Sequence, residues 1–358
     1  MVFENIIRNN LPVGMKQPRR GQIYVGFQCH QRCGFCYYKS RCSEKMFQFE
    51  EIRRQVDFEY EYGIRDFEIT GGEPSEYKEL RKICEYIKQK DGKSKIAVIT
   101  NGGLYTKDVW DVIDEVLLGY HIERNPKTCD HGMFPLGSTY PKVSKCVDMA
   151  NENNVFLRTN TVVGSFNLEN LPHIVDDIVG FKPRIINFLP VNLFDEATRM
   201  GRYIDYAELR PILKSQIDKI RENLPDTLVF VRYMPFCDME GYEKHIVGYV
   251  QHIYDWFDWN VELGGIELLD ISKGNPREIL GRYGRDSLKS ALSNRETFYE
   301  KDRKCLTCRY NIICDGVEKF GGKLKDQIVP SVGKTVLNPM HFITSSTERL
   351  YDNTYGQD

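Results

Sequence analysis

The chain has 358 residues, with 49 Lys and Arg against 51 Asp and Glu, a formal net charge of −2, 41% hydrophobic and 28% charged residues. That balance describes an ordinary globular surface over a real core: it offers no basic excess for nucleic acid, no acidic tail and no run long enough to span a membrane. The length exceeds one ordinary domain and suits a large barrel with an appendage.

The first residues, Met1-Val2-Phe3-Glu4-Asn5, lack the charged-then-apolar pattern of a signal peptide, so a cytoplasmic protein is expected. The eleven cysteines are too many for a typical cytosolic chain and odd in number for a disulfide framework. Six of them fall in two clusters, which in a reducing compartment favours metal over disulfide.

Residues 1–20 are polar and contain prolines, and read as an N-terminal extension. Gln22-Ile23-Tyr24-Val25-Gly26-Phe27 is apolar and β-branched and predicts a strand. Directly after it come Cys29, Cys33 and Cys36, four and then three positions apart. Thiolates at such short spacings hold iron–sulfur clusters. Three of them satisfy three irons of a 4Fe–4S cube and leave the fourth open to bind and reduce something. Structural zinc is the alternative for cysteines so spaced.

Ser43 is a candidate cap for a helix whose Phe49, Ile52, Val56 and Tyr60 recur at helical spacing and which Gly63 ends. The short strand Arg65 to Thr70 runs straight into Gly71-Gly72-Glu73-Pro74. A helix follows with Leu80, Ile83, Cys84 and Ile87 on one face, then the strand Ile96 to Thr100, which ends in Asn101-Gly102-Gly103. Val109, Val112, Ile113 and Val116 predict another helix, and 116–120 a weak strand. A loop over 123–139 precedes helix 141–153, strand 155–163, helix 168–179, strand 185–191 and helix 205–223. Six strand–helix units without hairpin signals predict a parallel sheet with crossover helices, an incomplete α/β barrel in which the cysteine triplet and the other motifs lie at the C-terminal strand ends.

The triplet, with an aromatic before its last cysteine, resembles the signature of the radical S-adenosylmethionine (SAM) superfamily. Gly71-Gly72-Glu73-Pro74, one strand and one helix later, resembles that family's second-strand motif. The resemblance implies a partial six-fold barrel over roughly 20–235. It also implies a 4Fe–4S cluster on Cys29, Cys33 and Cys36 that binds SAM, reductive cleavage of SAM to a 5′-deoxyadenosyl radical, and hydrogen abstraction from a peptide or small-molecule substrate. An electron donor such as flavodoxin or ferredoxin goes with it.

Two glycines let backbone carbonyls approach the SAM ammonium closely, and Glu73 adds a charged acceptor. Thr100 and Asn101 are candidates for the ribose or methionyl part, or for a simple Asn-Gly turn. Arg158 and Asn160 share a strand face and suit the SAM carboxylate and ribose, or a salt bridge to a neighbouring strand. Phe35 is implied at the adenine. Relatives place a small hydroxyl residue on the fourth strand; this chain has Leu118-Gly119-Tyr120-His121. His121 and His131 are possible acid–base groups, and neither is assigned a role.

The second cluster is Cys305, Cys308 and Cys314. Its spacing resembles the auxiliary-cluster domains called SPASM or twitch; the next cysteine of the full pattern is Glu318 here, which implies one auxiliary 4Fe–4S cluster, with zinc the alternative. Among Cys42, Cys129, Cys146 and Cys237, the expected fourth ligand is Cys237, which follows the strand 228–233 where the chain would enter the appendage. The expected domains are the barrel over 21–225, the auxiliary domain over 226–320 and a tail over 321–358. Cys84 and Cys146 read as core residues. The aromatics at 233–236 and 256–259 read as packing or as a pocket floor. The rival reading from another class is a non-catalytic zinc or electron-transfer protein.

Overall fold

The computed structural model describes residues 20–122, 132–191, 204–254, 260–261, 298–319 and 327–342. Cys129, His131 and the aromatics at 256–259 lie outside these residues.

Seven strands follow one another in a single parallel sheet: β1 (Arg20–Tyr24), β2 (Asp66–Thr70), β3 (Ile96–Thr100), β4 (Glu115–Gly119), β5 (Phe156–Val163), β6 (Ile185–Pro190) and β7 (Leu228–Arg232). Two short strands extend it, β8 (Ile246–Val247) beside β7 and β9 (Asn260–Val261) beside β1. The crossover helices are α1 (Phe49–Tyr62), α2 (Leu80–Lys90), α3 (Tyr140–Glu152), α4 (Leu171–Phe181) and α5 (Tyr206–Asn223), followed by the short α6 (Tyr249–Tyr254). A two-stranded antiparallel pair, β10 (Tyr299–Glu300) and β11 (Val317–Glu318), belongs to the second cysteine region.

α1 starts at Gln48 rather than Ser43. The Gln48 side chain and Glu51 form a reciprocal capping box, which satisfies two N–H groups at the helix start. It ends at Gly63, whose φ of 109° is the left-handed conformation that closes a helix. The helix predicted around Val109 does not form. The β3–β4 crossover is a 3-10 turn at Gly103–Thr106 and further turns, and Val116 belongs to β4. The apolar positions there are still buried, Val109 at 1% and Ile113 at 6% exposure. A single turn, in which the Val112 and Ile113 N–H groups donate to the Val109 carbonyl at 3.0 and 3.1 Å, brings them to the core without a continued helix.

The strand at 228–232 pairs in parallel with β6. The sheet therefore runs past the six strands expected, with β7 and β8 adding two further parallel strands between 228 and 247. One side of each strand packs on the helices, as with Ile23, Ile69, Val98, Val116, Leu157 and Ile186. The other side faces the barrel interior, which is apolar at Phe156, Ile185, Phe230 and Val247.

Beside these residues, on β1, β2, β4 and β5, the interior is charged, with Glu115 across from Phe156 and Arg158 across from Ile185. Arg158 Nη1 lies 2.8 Å from Glu115 and its Nη2 3.3 Å from Glu68, while Arg20 pairs with Glu115 at 3.0 Å and with Glu68 at 3.5 Å. All four side chains are at most 5% exposed. Buried charges survive only when paired and hydrogen-bonded, and here two cations alternate with two anions.

Candidate active site and second cysteine pocket

The loop leaving β1 carries Cys29, Cys33 and Cys36. Arg32 at φ 50° turns the loop back between the first two cysteines, and Cys36 N–H donates to the Cys33 carbonyl at 3.1 Å. Burial and mutual repulsion push the thiols up, to about 11 for Cys29 and Cys36 and higher still for Cys33, which feels both of the others. A cationic metal centre reverses that penalty, because thiolates are the ligating form.

Gly71 and Gly72 press this loop from β2. Gly72 N–H donates to the Gly26 carbonyl at 2.8 Å and Glu73 N–H to the Gln28 carbonyl at 2.9 Å. A Cβ on Gly71 would sit 2.1 Å from the Gly26 oxygen, and one on Gly72 2.1 Å from that of Gln28. The glycines are thus required for backbone to meet backbone. Glu76 adds a side-chain clasp, accepting from His30 N–H at 2.9 Å.

Glu73 is 3% exposed. Its Oε1 accepts from Ser75 N–H at 3.0 Å and from the Thr100 hydroxyl at 2.6 Å, and its Oε2 from Asn101 N–H at 2.7 Å. Three of a carboxylate's roughly four acceptor positions are therefore filled from within the protein. The group first joins the ends of β2 and β3, and one acceptor position remains on Oε2.

Asn101 Nδ2 lies 3.9 Å from Cys29 Sγ, and its Oδ1 accepts from Lys142 Nζ at 2.7 Å. Lys142 also donates to Gln31 at 3.3 Å and places its charge near Cys33. Sequence reasoning passed Lys142 over. The available signal was a lysine in the first turn of a helix, where the dipole disfavours a cation.

Arg158, matched in sequence to the SAM carboxylate or to a salt bridge, has its guanidinium engaged by Glu68 and Glu115. The salt-bridge alternative is the contact observed. Asn160 stands one layer higher, directly across from Gly119. Phe35 packs against His121, Phe134 and Phe166 with ring centroids 4.8, 5.7 and 6.0 Å away. His121 Nδ1 accepts from Val162 N–H at 3.0 Å, and desolvation holds its pKa down at about 3 although the ring keeps some accessible surface. The ring is held in its neutral form, with the proton on Nε2.

The second site is a pocket lined by Cys237, Cys305, Cys308 and Cys314 together with Phe236, Tyr310 and Ile328. Cys237 lies in the 3-10 turn Phe236–Met239 just past β7, and Cys305 in another, Arg303–Thr307. Gly316, at φ 101°, lets the chain return against the Glu300 carbonyl after Cys314. Phe236 and Tyr310 pack together at 5.3 Å, so the aromatics at 233–236 serve packing here. Glu318 accepts from the Tyr299 hydroxyl at 3.4 Å and is buried.

Among the described residues no three His, Cys, Asp or Glu side chains are close enough to share one metal ion. A single zinc draws its thiolates to about 2.3 Å. The triplet puts three thiols on one loop and the second site four around one pocket, and thiolates grouped in this way are the donors an iron–sulfur centre takes.

Residues 23–178 match the family model for the radical SAM superfamily. The chain is 27% identical over 182 residues to a probable GTP 3′,8-cyclase of Methanococcus maripaludis, covering 49% of this chain and 61% of that protein. It is 24% identical over 147 residues to the subtilosin biosynthesis protein AlbA of Bacillus subtilis, covering 39% of this chain and 32% of AlbA. The chain thus spans about three fifths of the first curated relative. Its fold is similar to that of anSMEcpe with bound AdoMet and Kp18Cys peptide, with TM-score 0.56 and 15% identity over 95% of this chain and 97% of that one. It is also similar to Streptococcus suis SuiB bound to precursor peptide SuiA, with TM-score 0.50 and 18% identity over 62% and 50%. No helix among the described residues is long and apolar enough to cross a membrane.

Proposed function

Residues 23–178 being a radical SAM domain, we propose that this chain is a radical SAM enzyme that modifies a peptide and carries a second, auxiliary 4Fe–4S cluster. The observation that carries the reading is the docking of the Cys29–Cys36 loop on Gly71-Gly72-Glu73 through the 2.8 and 2.9 Å backbone hydrogen bonds. Together they form a three-thiol loop beside a glycine cradle.

When bound, the first cluster and SAM supply one-electron cleavage of the sulfonium to methionine and a 5′-deoxyadenosyl radical, which takes a hydrogen atom from the substrate. The chain's own residues bind and orient. Cys29, Cys33 and Cys36 would hold three irons. Gly71 and Gly72 keep side chains out of the space beside them, and Glu73 offers its remaining acceptor position to the SAM ammonium. Phe35, Phe134 and Phe166 give the apolar wall that a purine needs. Cys237, Cys305, Cys308 and Cys314 would ligate the auxiliary cluster fully, which suits it to relay an electron rather than to bind substrate. The incoming electron is proposed to come from a flavodoxin or ferredoxin, in a reducing cytoplasm.

Peptide is favoured as substrate because the fold similarity to the peptide-bound anSMEcpe extends over 95% of this chain. A small-molecule substrate is the second reading, supported by the similarity to GTP 3′,8-cyclases over the barrel. Anaerobic reconstitution tests the proposal. The parent should hold two cubes by iron and sulfide counting and form 5′-deoxyadenosine with dithionite, and Cys33→Ala should form none above background. Cleavage of SAM by Cys33→Ala at the parental rate would falsify it, and zinc in place of the second cube would remove the auxiliary cluster.

A further inference from the structure

The outer wall of the second cysteine pocket is both cationic and apolar. Cys305 and Cys308 are part-exposed, and Leu306 between them is 75% exposed. A second segment closes the pocket. Its Ile328 and Pro330 line the inside, while Val329 and Val332 turn outward at 72% and 87% exposure. Arg309 joins the two segments. Its N–H donates to the Ser331 carbonyl at 2.8 Å and its carbonyl accepts from Val336 N–H at 2.9 Å, so the turn between them is pinned beside the cysteine loop. A Cβ on Gly333 in that turn would lie 3.4 Å from the Arg309 guanidinium.

Exposed apolar residues scattered singly are ordinary, but here they are grouped on two adjoining segments. Cations share those segments. Residues 301–309 read Lys-Asp-Arg-Lys-Cys-Leu-Thr-Cys-Arg, four cations to one anion, in a chain whose net charge is −2. Arg303 and Lys304 precede Cys305, and Lys334 stands in the pinned turn. All three are exposed and have no acidic partner among the described residues. The one anion, Asp302, is occupied in capping the 3-10 turn, where it accepts from Lys304 N–H at 2.9 Å.

Resting on the auxiliary-cluster reading above, we propose that this face is the docking surface of an acidic one-electron carrier protein. Charge complementarity selects the sign of the occupant. Unpaired cations around an apolar centre attract a protein whose own face is ringed by carboxylates, and steer it to this side of the chain. The apolar side chains supply a contact that salt does not screen. Position selects the class of occupant. Leu306 sits on the turn between two cysteines, so a carrier resting on it is separated from the second site by one turn of backbone. The first cysteine loop carries Arg32, Lys39 and Lys45 as well, but with Tyr37 as its strongly exposed ring rather than a group of aliphatic side chains.

The test is calorimetric binding of oxidised flavodoxin and of oxidised plant-type ferredoxin, both acidic proteins, to the anaerobically reconstituted full chain. Reductant and SAM are left out, so turnover plays no part. The parent should bind at least one carrier, more weakly as ionic strength rises. The triple variant Arg303→Glu, Lys304→Glu, Lys334→Glu should weaken that binding about ten-fold or more at low salt, with the difference shrinking at high salt. Val332→Ser, which lies away from the cysteine loop, should weaken it about three-fold at every salt concentration. Parental affinity in the triple variant overturns the proposal, and so does a parent that binds neither carrier. Binding that is lost only when Arg32, Lys39 and Lys45 are reversed places the carrier on the first cysteine loop and also overturns it. So does binding to vesicles of phosphatidylcholine and phosphatidylglycerol with none to either carrier, which makes the face a membrane contact. Iron and sulfide counting on the same samples separates this from the reading beneath it: one cube in place of two removes the auxiliary cluster, whereas two cubes with carrier binding indifferent to these residues remove the docking surface alone.

Discussion

The Glu73 carboxylate accepts a 2.6 Å hydrogen bond from the Thr100 hydroxyl, so the loop after β2 and the end of β3 are held as one unit. Its second oxygen holds Asn101 N–H at 2.7 Å, and the Asn101 side chain in turn reaches Cys29 and Lys142. Glu73 is thereby a structural clasp as well as a candidate SAM contact. Glu73→Gln turns one acceptor into a donor facing donors that are already in place. It should cost about 1–3 kcal/mol of stability even without SAM, read by denaturant unfolding of the cluster-free protein. Unchanged stability with a SAM affinity loss of one to two decades would show that the carboxylate acts on the ligand alone.

Arg158 and Glu115 meet at 2.8 Å in a layer sealed from solvent. Arg158→Met leaves Glu115 and Glu68 with Arg20 as their remaining described cation. Breaking a buried pair by removing one partner costs about 3–5 kcal/mol. The thermal midpoint of the variant should fall sharply, and a double variant with Glu115→Leu should recover part of the loss. Parental stability combined with lost SAM binding would return Arg158 to the role of carboxylate ligand.

Cys237 is brought to the same cavity as Cys305, Cys308 and Cys314 although 68 positions separate it from Cys305. In a variant lacking the Cys29–Cys36 triplet, Cys237→Ala should yield an auxiliary cluster that is labile or altered in its Mössbauer spectrum. A full, spectroscopically unchanged cluster would exclude Cys237 and leave an iron open to substrate.

His245 Nδ1 faces the Val229 carbonyl at 2.8 Å, so Nδ1 carries the proton while Nε2 is buried without a partner. Burial pushes its pKa down to about 4. The unfolded chain takes that proton near pH 6.5, so between about 6.5 and 4 the unfolded state binds more protons and stability rises with pH. The contribution is complete above about pH 6.5 and is lost as pH falls toward 4. Asp238, raised by burial to about 6, acts in the opposite sense over much of that range, so the useful measurement is a difference. His245→Gln should show a flatter stability profile than the parent between pH 6.5 and 4; parallel profiles would contradict the assignment.

Most of the barrel was legible because period and punctuation are local. The β-branched runs, the spacing of Leu80, Ile83, Cys84 and Ile87, and Gly63 as a helix stop each depend on neighbours a few residues away. The cysteine triplet and the double glycine were legible for the same reason: their chemistry is written in consecutive positions. The segment around Val109 misled because burial in a turn leaves the same apolar spacing as burial on a helix. Arg158 and Glu73 could be matched to a ligand by type, but not weighed against protein partners 90 and 27 residues away.

What the amino-acid order determined by itself was the alternation of strand and helix and the two cysteine groups at strand ends and turns. Tertiary structure decided which polar groups are left over once the interior has paired its own charges. Glu68, Glu115, Arg20 and Arg158 answer one another across strands, and Lys142 comes to Asn101 from another unit. Long-range pairing in a low-dielectric interior is set by register and closure of the sheet, and neither is recorded in any local stretch of sequence.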